Sequence, residues 1–205
     1  MRIRRSLTSL LCVGSILCLL QAQPSWSSEL AAVLDKTAVE PPAKVSFREE
    51  RHNPMFKEPM VLTGYLEYLD EGVLRKVIET PFVEDVRVEG ERVIVSRDGK
   101  TRTLSLNRSR ALRVTLNAIE AVLAGDETAL AETFRWDLSG SDESWTVRMS
   151  PLSDAVGKRL AGLVITGTND AIVGIRMDLA GGEWHDMRID DTPDAPRAAI
   201  PEGSQ

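Results

Sequence analysis

KVSFREERHNPMFKEPMVLTGYLEYLDEGVLRKVIETPFVEDVRVEGERVIVSRDGKTRTLSLN, residues 44–107, reads as six consecutive short strands with no helix between them. Apolar residues fall at every second place in most of it: Val45 and Phe47, then Leu62, Gly64, Leu66 and Tyr68, then Val86 and Val88, Val93 and Val95, Leu104 and Leu106. The third strand, Val73 to Ile78, is the least regular, with Leu74 and Ile78 sharing a face with Lys76. A meander with this period makes one curved antiparallel sheet with an apolar inner face. Asp70-Glu71-Gly72 and Glu89-Gly90 mark turns, and Asp98-Gly99 predicts a tight hairpin. The stretch holds one histidine, no cysteine and no glycine-rich phosphate loop. It is suited to holding an apolar ligand rather than to chemistry.

Upstream, Arg2, Arg4 and Arg5 precede an uncharged apolar run from Leu7 to Leu20, and Gln21 to Ser28 is a polar exit. This order predicts a secretory signal peptide over residues 1–27. The run is short for a membrane span, which takes about 20 residues. Both cysteines, Cys12 and Cys18, lie inside it, and each follows a leucine where a lipidation signal requires a small residue. The mature chain is thus expected to have no thiol and no disulfide. Losing three arginines and no acid takes the net charge from −6 to −9. Such a chain repels nucleic acid and anionic headgroups. About 180 mature residues suffice for one domain with a substantial core.

Ser28 to Ala38 predicts a short helix with Leu30, Val33 and Leu34 on one face, stopped by Pro41-Pro42. After the meander comes a long helical pattern, Ser109 to Ala124. Leu112, Leu116, Ile119 and Leu123 recur at helical spacing, with Val122 beside them. Gly125 ends this helix, and Asp126 caps a second over Glu127 to Glu132. Strands resume at Phe134 to Leu138, Trp145 to Met149, Ala161 to Thr168, Ala171 to Leu179 and Trp184 to Ile189, with a short helix within Leu152 to Arg159. Asp190 to Gln205 is rich in Pro, Asp and Ala and reads as a loose tail. About eleven antiparallel strands with few helices exclude a doubly wound fold. They predict a mainly β (α+β) protein, an unclosed and strongly curved antiparallel barrel whose helices cover the concave apolar face.

Candidates for chemistry are few. His52 lies near Glu49 and Glu50, and His185 near Glu183 and Asp186, but both read as solvated residues at strand or turn edges. No metal site, cofactor or catalytic residue is expected, since no serine sits in a nucleophile elbow and no carboxylate pair stands out. Trp136, Trp145 and Trp184 read as core or as cavity wall. Arg108, Arg110 and Arg113 form a small basic patch. Met55, Phe56, Pro59 and Met60 make an unusually apolar loop, suited either to covering the core or to adaptable contacts with a lipid or partner.

Several short motifs occur in a telling order: Val45-Ser46-Phe47-Arg48-Glu49, Gly64-Tyr65-Leu66-Glu67-Tyr68, Thr80-Pro81 and Gly90-Glu91-Arg92-Val93. Later come Leu123-Ala124-Gly125-Asp126, Phe134, Trp145, the segment around Pro151, Ile165-Thr166-Gly167 and a Gly-Gly turn. Over residues 28 to 190 this order resembles the periplasmic outer-membrane lipoprotein carriers of the LolA family, especially its divergent LolA-related group. The resemblance implies a LolA/LolB-like half-barrel over 28–190, with a flexible tail at 191–205. It implies a monomeric, non-enzymatic periplasmic carrier in the envelope of a Gram-negative bacterium. Such a carrier takes acyl chains of lipoproteins, or a related lipid, from an inner-membrane transporter to an outer-membrane acceptor. Typical members have an Arg-Pro pair just after the Gly-x-Leu strand; here that place reads Leu69-Asp70-Glu71-Gly72. No lid-holding arginine carries over, so the resemblance does not extend to lid control and leaves partner and cargo open.

The expected cavity wall is Val45, Phe47, Leu62, Leu66, Tyr68, Val86, Val88, Val93, Val95, Leu104 and Leu106 from the meander. To these are added Leu112, Leu116, Ile119 and Leu123 from the long helix, then Phe134, Trp136, Leu163, Ile165, Ile175 and Met177. Two alternatives share this shape: an envelope lipid-sensing or regulatory module, and a carrier of a polyene or glycolipid product. An enzyme on the same frame requires a polar cluster inside the cavity, from Tyr68, Arg75 or His185.

Overall fold

The computed structural model describes residues 29–141 and 143–190. The segment read as a signal peptide and the tail after Asp190 lie outside them.

The meander forms as the alternation predicts: β1 (Ala43–His52), β2 (Met60–Asp70), β3 (Val73–Thr80), β4 (Glu84–Glu89), β5 (Arg92–Arg97) and β6 (Lys100–Ser105). Each strand pairs antiparallel with the next. Asp98 and Gly99 both take positive φ, as the β5–β6 hairpin requires. The second half adds β7 (Phe134–Ser141), β8 (Ser144–Pro151), β9 (Leu160–Thr168), β10 (Ala171–Leu179) and β11 (Trp184–Asp190). All eleven strands belong to one sheet, ordered β6-β5-β4-β3-β2-β1-β11-β10-β9-β8-β7. Strands β6 and β7 are its two edges, so the sheet curves without closing.

Between those edges the chain runs through helices. A single 3-10 turn (Leu106–Arg108) leads into α2 (Arg110–Leu123) and α3 (Glu127–Thr133); α1 (Glu29–Thr37) precedes the sheet, and α4 (Asp154–Gly157) joins β8 to β9. Ser109 caps α2 by accepting from the Leu112 amide at 3.3 Å, and Asp126 caps α3 by accepting from Ala129 at 3.0 Å.

The main core lies over the β7–β10 half. Leu30 and Leu34 of α1, Leu130 of α3 and Val156 of α4 pack there against Phe134, Trp145, Val147, Met149, Leu163 and Ile165. Helix α2 enters this core through small residues, Ala118, Ala121 and Val122. Two smaller clusters sit under the meander: Phe47, Leu62, Ile78 and Met187, and Val88, Val93 and Leu106.

Candidate functional site

The large side chains of α2 do not fill the core. Leu112, Leu116, Ile119 and Leu123 face a cavity of about 670 Å³ between the helix and the sheet. Helical spacing places this stripe on one face, while Thr115, Ala118, Ala121 and Val122 are buried on another. The apolar part of the opposite wall comes from strand residues, and Lys44, Glu67, Arg75 and Asp170 also border it. Val45, Leu66, Tyr68, Leu74, Val86 and Val88 come from the meander, and Ile172, Ile175, Met177, Met187 and Ile189 from β10 and β11. Thr37, the last residue of α1, and Val39 just beyond it complete one side, where the Val39 amide donates to the Leu123 carbonyl at 2.9 Å. The volume falls within the roughly 300–1,000 Å³ typical of small-molecule pockets.

Some residues expected on this wall lie elsewhere. Phe47 and Leu62 are buried in a cluster with Ile78. Val93 and Leu106 are buried beside Val88, with Val95 packed against them. Phe134, Leu163 and Ile165 belong to the main core, and Trp136 packs onto it. Leu104 is 52% exposed on the edge strand β6. For Phe134, Trp136, Leu163 and Ile165 the reason is that an inward-facing residue lines a void only where no helix reaches it. Helices α1, α3 and α4 bring their own leucines and valines to the β7–β9 half and leave no space there.

A polar cluster in the same cavity was not anticipated. Glu49 continues the inward parity of Val45 and Phe47 and is fully buried, yet it lines the cavity beside Lys76 and His185. Arg51 donates to both Glu49 oxygens at 3.2 Å, and Lys76 Nζ donates to Oε2. His185 Nδ1 is 3.5 Å from Oε1. Burial pushes the Glu49 carboxyl up, but Lys76 and Arg51 outweigh it and hold the group below its ordinary value. Burial lowers Lys76, against the pull of Glu49. Burial, then Arg51, also lowers His185, which favours neutral imidazole. The signal was present in the alternation: Glu49 two places after Phe47, and Lys76 between Leu74 and Ile78.

The other candidates fall outside this group. Arg75 borders the cavity too, but it donates to Asp85 at 2.7 Å and to Glu67 at 2.9 Å, so its charge is already matched. His52 stacks on Trp184, with ring centroids 5.3 Å apart, so the two histidines do not converge. Among the described residues no group of three or more His, Cys, Asp or Glu is placed to hold a metal ion. Trp145 is core, its Nε1 donating to the Asn169 carbonyl at 3.3 Å. Met55 and Phe56 are 88% and 67% exposed, so their loop does not fold over the core.

Among the described residues no helix is long and apolar enough to cross a membrane. No curated protein matches the sequence significantly. Among solved structures, the chain is similar to a LolA superfamily protein from Nitrosomonas europaea, with 11% identity, 83% of this chain and 94% of that one covered, and a TM-score of 0.45. It is similar to the lipoprotein LppX of Mycobacterium tuberculosis, with 11% identity, 82% and 98% covered, and a TM-score of 0.42. The MucA/MucB complex of Pseudomonas aeruginosa gives 12% identity, 79% and 56% covered, and a TM-score of 0.35. A family model described as outer membrane lipoprotein carrier protein LolA-like matches residues 22–192. With an unclosed eleven-stranded sheet, a helix-lined cavity and a family match over most of its length, the chain belongs to the LolA-like family of outer membrane lipoprotein carrier proteins.

Proposed function

We propose that this protein is a periplasmic carrier that encloses the acyl chains of lipoproteins, or of a related lipid, and moves them from the inner to the outer membrane. The carrying observation is the α2 cavity, whose wall is mostly apolar side chains on both helix and sheet. Burying acyl methylenes there is worth about 0.8 kcal/mol each. That is enough for several methylenes to hold a chain, and shielding needs no bond-making chemistry. Residues 28–190 form the carrier domain, exported by the segment 1–27, with 191–205 as a tail. It acts as a monomer between a transporter that donates the lipid and an outer-membrane acceptor, and it is not an enzyme.

The test is native mass spectrometry of gently purified mature protein, with uptake of a neutral acyl fluorophore as a second readout. Bound lipid masses or saturable uptake are expected. A ligand-free protein that takes up no acyl probe overturns the carrier reading.

A further inference from the structure

One part of the cavity is not built for acyl chains. Glu49, Lys76 and His185 face into an otherwise mainly apolar space, and a buried charge there is costly unless it is matched. Glu49 is matched twice, by Lys76 and by Arg51. One carboxylate against two cationic side chains leaves a surplus positive charge. The further acids that act on Lys76 and His185 have partners of their own, Glu84 pairing with Arg97 at 3.6 Å and Glu183 accepting from Asn53 at 2.7 Å, and Glu67 on the cavity wall pairs with Arg75 at 2.9 Å. Lys76 Nζ also lies 4.6 Å from the centre of the buried Phe47 ring, so the cation on the cavity wall is backed by an aromatic face. His185 adds a polar edge beside it, its Nδ1 turned to Glu49.

We propose that this cluster receives the anionic head of an amphiphile, a carboxylate or a phosphate monoester. Its acyl chain then lies along Leu116, Ile119, Leu66 and Val86. The proposal rests on the acyl-binding reading of the cavity and adds orientation and class: the head enters and the ligand is anionic. Convergent polar groups in a mainly apolar pocket fix ligand direction; the other ion pair on the wall, Arg75 and Lys44 on Glu67, carries its own acid. Coulomb attraction to the surplus charge is strong there because the surroundings are poorly polarisable.

The test is displacement of a neutral acyl fluorophore from the mature protein by palmitate, hexadecyl phosphate and methyl palmitate. A charge-assisted hydrogen bond predicts that at least one anion displaces the probe about tenfold better than the ester. Preference for palmitate identifies a carboxylate head, and preference for hexadecyl phosphate a phosphate head. In Lys76→Met the anion-to-ester ratio falls to about one. Should that variant not fold, the double variant E49Q/K76M removes acid and cation together and is read by the same ratio. Equal displacement by all three ligands in the native protein overturns the proposal while leaving the carrier reading intact. Failure of the neutral probe to bind overturns both.

Discussion

Two glycines show how closely the sheet is packed, and both stand in motifs visible in the sequence. At Gly167 a Cβ would overlap the indole of Trp145, which lies flat on the glycine and is 3% exposed. At Gly64 a Cβ would run into the Val77 carbonyl across the β2–β3 irregularity. Gly167→Ala forces the buried ring to move and is expected to cost about 1–3 kcal/mol in urea unfolding. An unchanged midpoint would show that the Trp145 pocket has slack. The Glu49 cluster makes a pH prediction. Glu49 is depressed in the folded chain, so the stability it contributes is present above about 4.5 and is lost as pH falls through its folded value. His185 is also depressed, so the unfolded chain takes its proton first, and stability drops as pH falls below about 6.5. His185→Gln should flatten the loss of urea midpoint between pH 7 and 5. Equal slopes in native and variant protein would reject a buried neutral histidine.

Strands and helices were legible to different depths. Alternation located most strands because sheet faces repeat every two residues, the irregular third strand was bracketed by its neighbours, and Gly or Asp-Gly punctuated most turns. Parity also puts Glu49 and Lys76 on the inner face, although neither is among the residues expected on the wall, and it does not say which inner residues meet a helix and which meet a void. That division depends on where α1, α3 and α4 come to rest, which is a long-range outcome. Helix α2 carries the division on its own surface. Its aliphatic stripe faces the cavity, and its small residues touch the core. The two faces therefore predict opposite phenotypes. Ile119→Glu should leave a folded protein that no longer takes up an acyl probe, since a carboxylate is placed against the chain. Ala118→Leu, at a site 1% exposed, should lower stability by about 1–3 kcal/mol through overpacking. Circular dichroism melts alongside uptake separate the two; retained uptake in folded Ile119→Glu would remove α2 from the binding wall.

The sheet as a whole owes its shape to a pairing that no local pattern announces. Strand β1 pairs with β11 from Ser46↔Asp190 to His52↔Trp184, so the first and last strands meet in the middle and the edges fall at β6 and β7. The chain between those edges must cross the concave side, and it does so as α2 and α3. The helix thus spans two halves, anchored by its small face on one and standing off the other across the cavity. Apolar side chains that line such a void make fewer contacts than core residues, so filling it should stabilise the whole molecule. A ligand that binds only the folded state at one hundred times its Kd adds about 2.7 kcal/mol. For a chain of this size that is a rise in Tm of roughly 5–11 °C. Thermal unfolding with and without a saturating acyl ligand measures it, and hydrogen exchange should place the added protection on α2 and on β10–β11. A ligand that binds but raises Tm without protecting α2 would show that the acyl chain lies elsewhere on the sheet.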